Sequence, residues 1–158
     1  MIESFNSRSE FEQSVIKIFE SANQNPTQII QIFDYDLEFL AKKICVDLLL
    51  QFFIKSRKNK LYAVLYDDQK MRKDMARLFN EFQKFSHICE FYTLERNRDK
   101  LDDAFVLIES RDLLIRPNRQ AFHGNLYLNE RELVSAYSER FEELIESSAR
   151  VSLFTLGL

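Results

Sequence analysis

At 158 residues, with 46% hydrophobic and 30% charged side chains, the chain can bury one core and is too apolar to be disordered. A formal net charge of −3 and only two cysteines argue against a basic nucleic-acid tract, a disulfide framework and a zinc cluster. The charge is uneven: residues 1–54 carry 4 basic and 8 acidic side chains, residues 55–119 carry 15 and 11, and residues 120–158 carry 3 and 6.

Ser7 and Glu10 have capping-box spacing, and Phe11, Val15, Ile18, Phe19 and Ala22 follow at helical intervals, which predicts an amphipathic helix to about Ala22. A turn at Asn23–Thr27 leads to a strand over Ile29–Phe33. Asp34 or Asp36 is placed to cap a helix from Leu37 to about Arg57, whose apolar positions wrap most of its circumference and predict extensive burial. A second strand, Leu61–Tyr66, precedes Asp67 and Asp68. These offer a cap for a helix with Met71, Met75, Leu78, Phe79, Phe82 and Phe85 on one face. Strands at Ile88–Leu94, Ala104–Glu109, Leu113–Arg116 and Leu126–Leu128 follow, with a polar loop at Glu95–Lys100. Asn129 and Glu132 have capping-box spacing at the start of a final helix carrying Leu133, Ala136, Tyr137, Phe141, Leu144 and Ile145.

The alternation predicts an α/β fold: a mixed β-sheet flanked by helices on both faces, parallel in its first half and antiparallel after that, in a single domain over 1–158. Cys45 and Cys89 lie in apolar runs and read as buried thiols of a reducing compartment. The start of the chain lacks the pattern of a signal peptide, and the run CVDLLLQFFI is too short to span a bilayer. A soluble, cytoplasmic protein that does not engage membranes is expected.

With glycine only at 124 and 157, phosphate-cradling loops of the P-loop and Rossmann types are excluded. No His or Cys cluster has metal-ligand spacing, and neither a metal nor a cofactor is expected. Asp34, Asp36, Asp67 and Asp68 fall at the carboxyl ends of parallel strands, where four carboxylates suit a divalent cation such as Mg²⁺. Helix capping is the commoner reason for Asp at such positions. Lys55, Arg57, Lys58 and Lys60 form a basic knot, with Arg111, Arg116 and Arg119 as companions if the fold brings them near. Such groups suit phosphate, or simply a solvated helix end. His87 suits a helix C-terminus. His123 precedes Gly124 after an Arg-containing loop, without a Ser or Cys nucleophile at motif spacing, which favours a structural or surface role.

The strand–helix pattern from Ile29 onward, the stretch DDAFVLIESRDLLIRPN and the distal GNLYLNERELVSAYSERFEELIESS together resemble a phospholipase D-like domain. The likeness covers most of the chain and points to a degenerate branch among uncharacterised bacterial proteins. Active members of that superfamily carry His-x-Lys-x-x-x-x-Asp on a strand: a nucleophile, a phosphate-binding lysine and an orienting carboxylate. A Gly-Ser-x-Asn segment follows. The resemblance sets Asp102 at the His position, Ala104 at the Lys position and Glu109 at the Asp position. Arg116-Pro-Asn118 falls near Gly-Ser-x-Asn without its Gly or Ser, and Phe141-Glu-Glu-Leu144 falls on the late helix pattern. A carboxylate at the nucleophile position repels phosphate, and alanine cannot hold it.

The resemblance therefore implies a non-catalytic interaction or ligand-binding module, with Arg116, Arg119 and His123 as candidate ligand-binding residues. It also implies a homodimer, because active single-motif members pair two chains about a two-fold axis. Two alternatives stand beside it: a phosphodiesterase or nuclease using His123, and a nucleic-acid-binding module using the basic middle segment, which the acidic total charge disfavours.

Overall fold

The computed structural model describes residues 1–66, 76–94 and 101–151, with backbone alone for 76–79. Its strands are β1 (Ile2–Phe5), β2 (Ile29–Asp34), β3 (Lys60–Leu65), β4 (Cys89–Leu94), β5 (Ala104–Ile108), β6 (Asp112–Arg116), β7 (Gly124–Tyr127) and β8 (Ser148–Val151). The helices are α1 (Arg8–Gln24), α2 (Lys43–Lys55), α3 (Ala76–Gln83) and α4 (Arg131–Glu146), with a 3-10 turn at Glu38–Ala41. The strands form one eight-stranded sheet in the order β1-β7-β6-β5-β2-β3-β4-β8. β2, β3 and β4 are mutually parallel, and every other pairing is antiparallel. This is the expected mixed α/β sheet.

Strand periodicity sorts the core into two layers. Ile30, Ile32, Leu61, Ala63, Leu65, Val106, Ile108 and Leu114 pack beneath α1 and α2. Phe33, Val64, Phe105, Leu107 and Leu113 meet Val134, Phe141 and Leu144 of α4 on the other face. Phenylalanine supplies much of the volume. Phe5, Phe19, Phe33, Phe52, Phe53, Phe82, Phe91 and Phe141 are each at most 2% exposed. Cys45 and Cys89 are buried free thiols. Burial pushes the Cys45 thiol up to about 11 and raises Cys89 as well. No helix among the described residues is long and apolar enough to cross a membrane.

Local chemistry explains several differences from the sequence reading. Ser7 does cap α1, accepting from the Glu10 amide at 3.1 Å. The second helix does not begin at Leu37, which adopts φ 58°. Asp34 Oδ2 accepts from the Leu37 amide and Asp36 Oδ1 from the Glu38 amide, which curls the backbone into a tight turn before α2 starts at Lys43. α2 also buries only one stripe, Cys45, Leu49, Phe52 and Phe53, leaving Ile44 47% and Ile54 73% exposed.

The Asn129–Glu132 capping box does not form. Asp112 Oδ1 accepts from the Asn129 amide, Asn129 sits at φ 61°, and the N-cap of α4 is Glu130 without a side-chain bond. His87 lies beyond α3, which ends at Gln83, and offers its carbonyl to Lys60 Nζ. β1 and β8 are additional strands at the two sheet edges, short and polar enough to lack a period-two signal. Asp67, Asp68, Met71, Met75 and the loop 95–100 lie outside the described residues.

Gly124 is required by packing. A Cβ there would fall on the Ile115 carbonyl oxygen and lie 2.6 Å from Phe5 Cζ.

Candidate functional site

The site grows from three adjacent strands at the carboxyl edge of β2. Ala104 on β5 pairs with Arg116 on β6. On the other side of β5, Phe105 pairs with Phe33, so Asp34 stands one step beyond, beside Ala104. Period-two alternation directs all three side chains to the α1 face, the face of Val106, Ile32 and Leu114. Arginine, alanine and aspartate thus form a row across three strands. The small central side chain leaves space between the charged ones.

A cavity of about 120 Å³ opens above this row. α1 contributes Arg8, Phe11 and Glu12. The turn after β2 contributes Asp36, Glu38, Phe39, Ala41 and Lys42. Asp34, Arg116 and Phe122 complete the lining. A smaller void that shares Phe11, Asp34, Phe39 and Arg116 with it touches Ala104 itself.

The rim of the cavity neutralises itself. Arg8 pairs with Glu12 and Glu38, each at 3.3 Å, and Lys42 with Glu12 at 3.1 Å. The inner groups, Arg116 and Asp34, make no such direct ion pairs among the described residues. Arg116 Nε donates to the Ala121 carbonyl at 2.9 Å and Nη2 to the Arg119 carbonyl, while the guanidinium lies 4.5 Å from the Phe122 ring centre and 5.2 Å from that of Phe11. It forms no ion pair among the described residues. Asp34 is 6% exposed and likewise has no cationic partner there, accepting from the Leu37 amide at 2.8 Å. Burial first, and then the neighbouring Asp36, push its carboxyl up to about 6, more than Arg116 pulls it down.

Beside the cavity, Arg119 stacks over Tyr35 at 4.3 Å and Tyr66 at 4.9 Å, and its amide donates to the Asp102 carbonyl. Tyr66 donates to the Asp103 carbonyl, and its hydroxyl is held un-ionised by burial and by Asp103. Arg140 of α4 grips Asp103 with both terminal nitrogens.

The candidates read from sequence separate. Arg116 lines the cavity, Arg119 joins it through its backbone carbonyl, and His123 is exposed just before β7, outside the lining. Asp102 is exposed ahead of β5. Glu109 lies past the other end of that strand, roughly 20 Å away at ~3.3 Å per residue, where its Oε2 accepts from the Gln28 amide. Lys55, Arg57, Lys58 and Lys60 stand at that same opposite edge, so the basic knot does not meet Arg116 and Arg119. Arg111 is there too. It brackets buried Asp112 and reaches Ser21 and Thr27, a structural role rather than a phosphate site.

Asp34 and Asp36 bond backbone amides as the capping reading expects, though of the 3-10 turn rather than of α2. Among the described residues no group of three or more His, Cys, Asp or Glu side chains is placed to hold a metal ion. Arg8, Glu12, Lys42 and Phe122 were not singled out in the sequence, and Phe11 only as part of the apolar face of the first helix. Only the Arg8–Glu12 spacing, i to i+4, hinted at an ordered surface.

A family model, DUF7931, a domain of unknown function, matches residues 7–155. The chain belongs to this family. Comparison with the curated proteins finds no match. Among solved structures, the DUF7931 chain is similar to Nuc of Salmonella typhimurium, a phospholipase D family member, with TM-score 0.63, 8% identity, and 96% of this chain and 97% of that one covered. NucT from Helicobacter pylori gives 0.63 and 10%, covering 96% and 99%. Phosphatidylserine synthase of Haemophilus influenzae gives 0.70 and 10%, covering 96% and 40%. The archaeal chromatin protein TrmBL2, described with a novel mode of DNA binding, gives 0.65 and 15%; 95% of the DUF7931 chain aligns, spanning about half of that protein (54%). The fold of this DUF7931 member is phospholipase D-like.

Proposed function

We propose that the chain is a phospholipase D-like module that binds a small polar ligand in the Arg116–Asp34 cavity and does not hydrolyse phosphodiesters. The observation that carries this reading is the row Arg116–Ala104–Asp34 under a formed cavity, at the strand position where the resemblance places a phosphate-binding lysine. Alanine supplies no charge there, and the buried carboxyl of Asp34 opposes a phosphate that Arg116 alone would attract. Asp102 and Glu109 lie at opposite ends of β5 and cannot act on one bond. Of the candidate ligand residues, Arg116 is assigned the contact with ligand and Arg119 the positioning of Arg116 through its carbonyl. His123, exposed and outside the lining, is assigned no chemical step.

The nuclease and nucleic-acid readings are weaker on the same grounds. The cavity carries four carboxylates against three cations, and the exposed Lys55, Arg57 and Lys58 stand at the far edge. A homodimer and a cytoplasmic location remain part of the proposal. The two buried thiols support the second. Thermal-shift screening of small polar compounds against wild type and Arg116→Gln tests the site. Stabilisation of wild type alone supports it, and equal shifts in both proteins refute it.

A further inference from the structure

The class of ligand follows from how the cavity leaves its charges, and this inference rests on the binding-module reading. Arg116 is fixed by two carbonyl bonds and two aromatic rings, with Nε and Nη2 occupied. Nη1 has no protein partner among the described residues and is not a buried orphan. Across Ala104, Asp34 is a buried carboxyl held by neutral backbone amides, of Leu37 and Tyr35, rather than by a cation. Two opposite charges therefore face one cavity and feel each other's field without a direct ion pair between them, while at the rim Arg8, Lys42, Glu12 and Glu38 pair among themselves.

An anion alone meets Arg116 but is repelled by Asp34 and Asp36. A cation alone meets those carboxyls but is repelled by Arg116. A molecule bearing both charges satisfies each end, with Nη1 offered to an acid group and Asp34 to an ammonium. Phe11, Phe39 and Phe122 supply apolar walls for the carbon atoms between them. The volume, about 120 Å³, suits a ligand of roughly six heavy atoms, since a cavity of ~150 Å³ holds benzene. We infer that the cavity is a binding site for a small amino-carboxylate zwitterion.

Isothermal titration calorimetry on the full chain tests this with glycine, β-alanine and 4-aminobutyrate, which step the charge separation. Acetate, ethylammonium and inorganic phosphate serve as single-charge probes. At least one zwitterion should bind at least tenfold more tightly than acetate, ethylammonium or phosphate. Arg116→Gln and Asp34→Asn should each weaken it at least tenfold while circular dichroism shows native structure. Arg116→Lys, which keeps the charge but loses the fork, guards against a Gln variant that misfolds and should weaken binding at least threefold.

Phosphate or acetate binding as tightly as every zwitterion would overturn the ligand class while leaving a binding module. Zwitterion binding unchanged in the folded variants would overturn the site. Binding of no probe at all would overturn the inference, and turnover of a phosphodiester would overturn the reading on which it rests.

Discussion

Replacing Asp34 with asparagine isolates the electrostatic cost of burying a carboxyl at the carboxyl edge of β2. Asparagine keeps the shape and still accepts from the Leu37 amide. In the wild type the carboxyl has an ordinary value of 3.8 unfolded and is pushed up to about 6 in the fold, first by burial and then by Asp36. As pH rises through that interval, the unfolded chain gives up its proton before the folded chain does. The stabilising effect is full below 3.8 and is lost by the time pH passes about 6. At about 1.4 kcal/mol per pH unit, the interval is worth about 3 kcal/mol. Asp34→Asn has no such proton. The stability difference, variant minus wild type, should therefore grow by about 2.5 kcal/mol between pH 4 and pH 8, whatever its value at the acid end. Urea denaturation at half-unit pH steps measures it, and carboxyl-carbon NMR of Asp34 reads the titration directly. A difference that stays flat across that range, or shrinks with pH, would refute the reasoning, because it would mean that Asp34 ionises in the fold as it does in water.

Asp112 is 1% exposed and accepts from Ser21 Oγ, Arg111 Nε and the Asn129 amide, so Asp112→Ala should cost about 3 kcal/mol or more in urea denaturation. Gly124→Ala should cost about 1–3 kcal/mol by the same assay, because the added methyl meets the Ile115 carbonyl and Phe5. Cys45 and Cys89, buried and with raised thiol values, should resist Ellman's reagent at pH 8 in the native state and react at once in denaturant; fast native labelling would contradict their burial. His123→Ala, at an exposed position, should change stability by less than about 0.5 kcal/mol.

Strand existence was legible because the central strands are doubly buried. AFVLI is apolar along its length and IIQIFD is broken only by Gln31 and its terminal Asp34, and no competing helical period fits them. The edge strands IESF and SARV were not legible, since only one side of each is paired and their side chains are largely solvated. The helix starts expected at Leu37 and Asn129 differ for one shared reason: an aspartate claims the backbone amide and the residue turns left-handed, Leu37 where the first helical residue was expected and Asn129 where a cap was. The candidate site was half legible. Arg116 and Asp34 stood out as charges at strand ends, but their meeting across Ala104 is a matter of register, which sequence does not encode locally. The rings that hold Arg116 come from α1 and from the loop after β6, a pairing with no sequence-distance signature.

The central claim is that this phospholipase D-like fold binds at its carboxyl edge without cleaving phosphodiesters. Hydrolysis of bis-p-nitrophenyl phosphate by the purified chain between pH 5 and pH 8 tests it most directly. The account predicts a rate indistinguishable from buffer for wild type, Asp102→Ala and His123→Ala alike. Steady turnover by the wild type, lost on replacing Asp102 or His123, would contradict it.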